Sequence, residues 1–355
     1  MATSHPIDIP TAHHDQHESA LRSSVESETD LVFTPADSLS TSLNSASTID
    51  NVFDQIDIKP TARNDPLPAL RCDKPCEDLP VEANGLLDAA TAVSFGQGPD
   101  RWLYHPSSGL FDLSRSSAAK MMIPSRSENM AGLVIDPDRT IMVIVDMQNY
   151  FIHPACYSHG AGIAAVQPIL DTMQLCRKMG VQIGYLNWVI EDRDMAEMPP
   201  AVQRGWSMDR LKTHGVGWHV NLGSELPDGQ GRCLWKGSWN AELYDPIRAA
   251  SQPEDVTFLK NRPSGMWSTE CDMARYMLEH NMKTILFAGV NSDQCVLGTL
   301  TDSYSKSYDC LLVKDCVGTA TTNLMAQELV EWNVSRNYGF VIESTDLAAA
   351  QMLSG

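Results

Sequence analysis

Three side chains of this 355-residue chain stand where short apolar runs end, and their types suit a single reaction. Asp146 follows Ile141-Met-Val-Ile-Val145, Lys260 follows Val256-Thr-Phe-Leu259, and Cys295 follows Thr284-Ile-Leu-Phe-Ala-Gly-Val290 after the loop Asn291-Ser-Asp-Gln. A free thiol titrates near about 8.5, so a nucleophilic cysteine needs a neighbouring base or cation to act at neutral pH. Asp146 can take the thiol proton and return it to a leaving group, while Lys260 can stabilise a thiolate and hold the carboxylate in place. Between a strand end and a helix start, Cys295 also meets first-turn amides and the helix dipole, which favour the thiolate and can receive an oxyanion. Each residue has a plainer reading: a buried structural cysteine, an aspartate capping a loop, a lysine at a solvated strand end. Together these plain readings must explain three coincidences at one edge.

That shared edge follows from the order of elements. Apolar runs of strand length at Thr140 to Val145, Val181 to Trp188, Val256 to Lys260, Thr284 to Val290, Leu311 to Lys314 and Tyr338 to Ile342 alternate with helical patterns. The helical patterns cover Ala164 to Met179, Thr269 to His280, the residues after Cys295, and Leu324 to Asn333. Parallel strands require crossovers, so this alternation predicts an α/β fold with a mostly parallel sheet. Such sheets bind ligands in the crevice outside their carboxyl ends, where all three residues are expected to converge. Between Glu191 and about Pro253 an insertion rich in Gly, Pro and Trp, with a helical stretch near Ala241 to Ala250, interrupts the series. It includes Met198-Pro-Pro200, Trp206 and Trp218, and it reads as a lid or an oligomer contact.

Composition divides the chain into three parts. Residues 1–95 hold 16 acidic and 5 basic side chains with many Ser, Thr, Asp and Pro, and are expected to be a disordered acidic tail. Residues 96–137, richer in aromatic and turn residues, read as an ordered arm laid on a domain at 138–355. A formal charge of -19, shared between tail and domain, argues against nucleic acid or an anionic membrane as partner. No apolar run approaches the roughly 18 residues that span a membrane. The N-terminus lacks the basic flank and apolar core of a secretory signal. Nine scattered cysteines suit reduced thiols, so the expected location is cytoplasmic; Cys72 and Cys76 alone are weak evidence for a metal.

Val143-Ile-Val-Asp146-Met-Gln-Asn149, Lys260-Asn-Arg-Pro-Ser264 and Gly289-Val-Asn-Ser-Asp-Gln-Cys295-Val296, taken in order, resemble the isochorismatase-like cysteine hydrolases over roughly 220 residues from Asp136. Asp315, before Cys316-Val-Gly318, resembles that family's acidic strand end. The resemblance implies a three-layer αβα fold around a six-stranded sheet, with Asp146, Lys260 and Cys295 as base, cation and nucleophile. It further implies a non-proline cis peptide at Val290-Asn291, with the backbone N–H groups of Asn291 and Cys295 forming the oxyanion hole. Nicotinamidase relatives hold a metal with histidines after the second strand. Here that region reads Leu186-Asn-Trp-Val-Ile-Glu-Asp-Arg-Asp194, so no metal and no cofactor is expected. Relatives that cleave a vinyl ether can dispense with the cysteine, which this chain keeps.

The chain therefore looks closer to the ureidoacrylate and biuret amidohydrolases and to fungal relatives with similar N-terminal arms. The implied substrate is a small-molecule amide or ureide, cleaved through a thioester, and related proteins are commonly homo-oligomers. Ether hydrolysis is the competing enzymatic reading; a non-catalytic binding module using the acidic tail is the other. Candidate substrate contacts are Asn187, at the end of the second strand, and Gln148, Tyr150 and Phe151 after the catalytic aspartate. Trp239 and Trp267, beside Gly237-Ser238 and Ser264-Gly265, complete the candidates. Capping for Asn187 and packing for the aromatic residues are the alternatives, and His153 reads as an ordinary surface or core histidine.

Overall fold

A computed structural model describes residues 83–125, 130–156, 159–206, 222–321 and 325–353. Its strands are β1 (Val93–Phe95), β2 (Trp102–His105), β3 (Leu110–Asp112), β4 (Lys120–Pro124), β5 (Gly132–Ile135), β6 (Thr140–Val145), β7 (Gln182–Trp188), β8 (Val256–Lys260), β9 (Thr284–Val290), β10 (Asp309–Gly318), β11 (Phe340–Ile342) and β12 (Gln351–Leu353). The last six-stranded set expected from the sequence is present: β11-β10-β9-β6-β7-β8, with every neighbouring pair parallel.

Strand alternation builds a core on each face of this sheet. Ile141, Val143 and Val145 of β6 join Leu186, Phe258, Ile285 and Phe287 on one face, where residues of the helices Asp272–Glu279, Leu297–Ser305 and Ala326–Asn333 cover them. Met142 and Ile144 join Ile183, Tyr185, Leu286 and Ala288 on the other, under the helix Gly160–Lys178. Period-two side chains on fully buried strands leave no polar face, which is why β6 and β9 are apolar throughout. The result is the expected three-layer αβα arrangement.

The arm is more than a strap. Residues 93–135 form a second six-stranded sheet, β1-β2-β3-β5-β4-β12, closed at one edge by the C-terminal strand β12 pairing antiparallel with β4. Leu113, Met121, Ile123, Leu133 and Ile135 from this region share a core with the Gly160–Lys178 helix. Its strands are three to five residues long, too short for periodicity to register in the sequence. The expected tail also ends earlier than residue 95, since a short helix covers Ala83–Leu86 and β1 follows it. The remainder of the acidic tail, with Cys72 and Cys76, lies outside the described residues, as do Trp218 and the rest of 207–221. Among the described residues no helix is long and apolar enough to cross a membrane.

The strand order reverses between β6 and β9: β7 and β8 continue on one side, β10 and β11 on the other. Crevices at such reversals collect ligands in open α/β sheets. Gly289 makes the reversal close, because a Cβ there would stand 2.1 Å from Val145 O. Its φ of +103° suits glycine in any case.

Candidate active site

Asp146 leaves β6 with φ 51°, its N–H donating to Leu186 O at 2.9 Å. This turn aims a fully buried carboxylate back across the end of β7. Lys260 ends β8, two strands away, and at about 4.8 Å per strand only a long side chain can cover that distance. Lys260 Nζ passes 4.2 Å above the Trp188 ring and reaches Asp146 Oδ2 at 2.8 Å, both side chains being 1% exposed. Trp188 N–H, at the end of β7, donates to Asp146 Oδ1 at 3.1 Å. Cys295 is 6% exposed, and its thiol lies near enough to Asp146 and Lys260 for each to influence its protonation. The three residues singled out by type and position thus meet in one buried cluster, although 149 positions separate the first from the last.

Burial pushes the Asp146 carboxyl above the usual carboxylate range; Lys260, the Cys295 thiol and the Trp188 N–H pull it down without offsetting burial. Burial likewise pushes the Cys295 thiol up strongly, against the pull of the Lys260 ammonium. Burial thus works against the thiolate that the helix start and the lysine are expected to favour.

The peptide bond Val290-Asn291 is cis. A π turn over Ser292–Val296 follows, with Gln294 N–H and Val296 N–H both donating to Asn291 O at 3.1 Å, and it runs directly into the Leu297–Ser305 helix. Cys295 therefore sits in the widened turn ahead of the helix proper. Thr299 Oγ1 donates to Cys295 O at 2.8 Å and pins that turn from within the helix.

The candidate contacts separate into two groups. Tyr150 and Phe151 lie on an aromatic wall that leads to the cluster: both rings pack on Trp206, at 5.8 and 6.1 Å, and Trp206 packs on Trp188 at 4.9 Å. Trp206 lies in a helical stretch whose described residues are 200–206, so part of that insertion lies over the site. Gln148 is not available to a ligand in the expected way. Its Nε2 donates to Trp188 O and Ala241 O and its Oε1 accepts Trp188 N–H at 2.8 Å, so it clips the end of β7 to the 241 loop. Asn187 is buried, its Oδ1 without a partner among the described residues, but alternation along β7 puts it on the Tyr185 face, opposite Leu186 and Trp188, which share a core with Cys295. Trp239 is half-exposed and packs edge-on against His153 at 4.9 Å. Trp267, also half-exposed under the Arg262 guanidinium at 5.2 Å, borders an outer groove shared with Glu191, Lys236, Lys260 and Asn261.

Sequence reasoning passed over Trp188 and His159. Trp188 was visible only within the stretch where metal ligands were sought; its buried indole N–H has no partner among the described residues. Among the described residues no three His, Cys, Asp or Glu side chains gather as a metal would need. Asp194 is occupied by the Glu191 N–H at 2.9 Å and by Asn261 Nδ2 at 2.6 Å. Asp315, expected at a strand end, lies within β10 and accepts from Ser344 N–H and Oγ, capping the helix Ser344–Ala348.

Known proteins align with the same region. The isochorismatase domain family matches residues 140–346. The chain is 28% identical over 242 residues to a ureidoacrylate amidohydrolase, RutB, of Azorhizobium caulinodans, an alignment covering 64% of this chain and 96% of that protein. It is 26% identical over 239 residues to the ureidoacrylate amidohydrolase of Agrobacterium fabrum, covering 64% and 94%. Among solved structures it is similar to a cysteine hydrolase from Pseudomonas syringae pv. phaseolicola, at 19% identity and a TM-score of 0.48, covering 61% of this chain and 95% of that one. The family match runs from the strand that delivers Asp146 to the helix after the last parallel strand and takes in more than half of the chain, which therefore belongs to the isochorismatase family of hydrolases.

Proposed function

We propose that the chain hydrolyses a C–N bond of a small amide or ureide by acyl transfer to Cys295. The observation that carries this reading is the buried Asp146 carboxyl paired with Lys260 Nζ at 2.8 Å, with the Cys295 thiol beside them. As sulfur attacks the substrate carbonyl, the thiol proton passes to Asp146, so no free thiolate has to persist in the buried site. Lys260 balances the charge throughout. The backbone N–H groups of Asn291 and Cys295 receive the tetrahedral oxyanion. When the C–N bond breaks, the Asp146 carboxylic acid gives its proton to the departing amine. Water, deprotonated by Asp146, then attacks the thioester carbonyl, and the leaving sulfur regains the proton. The thiol proton leaves with the amine and is replaced by one from the attacking water, so the side chains end as they began, and the scheme uses no cofactor and no metal.

The ureidoacrylate amidohydrolases that align with this chain support the choice of bond. Trp188 Nε1–H, buried beside Lys260 and without a partner among the described residues, supports a substrate bearing an acceptor oxygen near its scissile carbon. The seven cysteines among the described residues are all free, which fits a cytoplasmic setting. Self-association into a homo-oligomer belongs to the same reading and is checked by sedimentation.

The test is a panel of ureidoacrylate, biuret, simple amides and isochorismate, assayed with the wild type and with Cys295→Ala. Ammonia release from a ureide or amide, lost in the variant while substrate binding persists, is the expected result. Turnover that survives Cys295→Ala, or pyruvate from isochorismate as the only product, would replace thiol chemistry with aspartate-driven ether hydrolysis.

A further inference from the structure

The helix Gly160–Lys178 begins at a buried histidine whose two ring nitrogens have different partners. His159 Nδ1 accepts Gly162 N–H at 2.8 Å, serving as the helix N-cap. Only an unprotonated ring nitrogen can accept, so the neutral ring carries its proton on Nε2. Nε2 lies 2.7 Å from Asn291 Oδ1, and that atom also accepts Ala320 N–H at 2.8 Å, which identifies it as the amide oxygen. The imidazole therefore donates to Asn291, across 132 positions of sequence.

The surrounding backbone is shaped for this contact. Gly162 lets the ring approach, since a Cβ there would stand 3.0 Å from His159 Nδ1; Gly318 lets the helix start rest on the end of β10, where a Cβ would meet Ala161 at 2.7 Å. Beyond that strand, Thr319 Oγ1 and Thr321 Oγ1 donate to Asp293 at 2.5 and 2.6 Å. The segment 319–321 and His159 thus grip the loop between the cis bond and Cys295 from outside the cluster. Asn291 is the shared point of that grip.

We infer that His159 is a positioning residue for the nucleophile loop. Through Asn291 Oδ1 its Nε2–H fixes where Asn291 N–H and Cys295 stand, and so acts on oxyanion stabilisation without touching substrate. The link from loop position to rate rests on the thiol mechanism above; the link from His159 to loop position does not.

Asparagine separates capping from positioning. It caps helices well, yet it is too short to reach Asn291, so His159→Asn keeps the cap and removes the donor. The expected result is a melting temperature near that of the wild type, with amide exchange in 291–296 faster by about tenfold or more and unchanged in β9. With the fastest substrate of the panel, kcat should fall about 10- to 100-fold while KM moves less than about threefold. In an Asn291→Ala background the same substitution should add nothing further, because the two side chains act as one unit. Nitrogen-15 spectra of the wild-type ring should show the proton on Nε2 and a bare Nδ1. Wild-type loop exchange in His159→Asn, an equal kcat loss in both backgrounds, or a proton on Nδ1 would each overturn the assignment. Cys295→Ala keeps the two ideas apart: it should abolish turnover yet leave the His159 tautomer and loop exchange intact. Surviving turnover there sinks the thiol mechanism alone.

Discussion

Two buried aspartates, each beside a cation, sit at opposite ends of the parallel sheet and do different things. Asp309, at the start of β10, takes both terminal nitrogens of Arg115 at 2.6 and 2.8 Å, Trp102 Nε1–H at 2.9 Å and Thr284 Oγ1 at 3.1 Å. Arg115 and Trp102 belong to the second sheet or its loops, so this cluster fastens the two sheets together. Asp146, at the end of β6, has one ammonium, one shared backbone N–H and a thiol that can give its proton away. A planar guanidinium saturates a carboxylate with fixed, paired donors, whereas a lysine supplies charge and leaves valence for chemistry. Saturation holds parts in place; an incomplete shell keeps a carboxylate reactive.

Substitution should expose this contrast. The largest effect belongs to the reactive end: Cys295→Ala should lower turnover on the order of 10⁴-fold or more at little cost in stability. Lys260→Met should lower it by about 10²- to 10⁴-fold, since the Asp146 charge then loses its counterion. At the fastened end the sign of the split reverses. Arg115→Met should cost about 3–5 kcal/mol in denaturant unfolding, because it leaves Asp309 buried without its cation, while kcat of the folded protein stays near the wild-type value. A large kcat loss in Arg115→Met would collapse the distinction.

The next test is pH. Asp146 must be ionised to accept the thiol proton, and its carboxyl is raised by burial, so kcat/KM should fall as pH drops through a value above the ordinary carboxylate range. The same shift has a stability consequence of opposite direction. The folded chain holds this proton more tightly than the unfolded one, so the stabilisation it gives is present at low pH and lost as pH rises through the raised value. An acid limb in the ordinary range would show that the cluster is open to water. Gln148→Ala, which breaks the clip between Trp188 and Ala241, should cost about 1–3 kcal/mol. Trp239→Phe should stay within about 0.5 kcal/mol and leave kcat unchanged, the ring being half-exposed at the surface.

The parallel sheet was legible because its strands are buried on both faces and read as unbroken apolar runs between helical patterns; β6, β8 and β9 begin and end at the expected residues. The second sheet was not. Strands such as Leu110–Asp112 and Gln351–Leu353 are too short to carry a period, and the pairing of β12 with β4 joins segments more than 220 positions apart. Gln148 looked like a ligand contact because its position after Asp146 says nothing of hydrogen-bond partners, which come from Trp188 and Ala241. His159 left no trace in the sequence for the same reason: its partner lies on another element.

By itself the sequence determined which residue types stand at the carboxyl edge of the sheet, because strand ends follow from local apolar patterning and parallel strands share one edge. It therefore named Asp146, Lys260 and Cys295 as a group. Only the tertiary structure decided what surrounds them, since burial comes from every side and pushes both the Asp146 carboxyl and the Cys295 thiol up. It also decided which neighbours orient them, with Trp188 beneath the lysine and His159 behind the nucleophile loop.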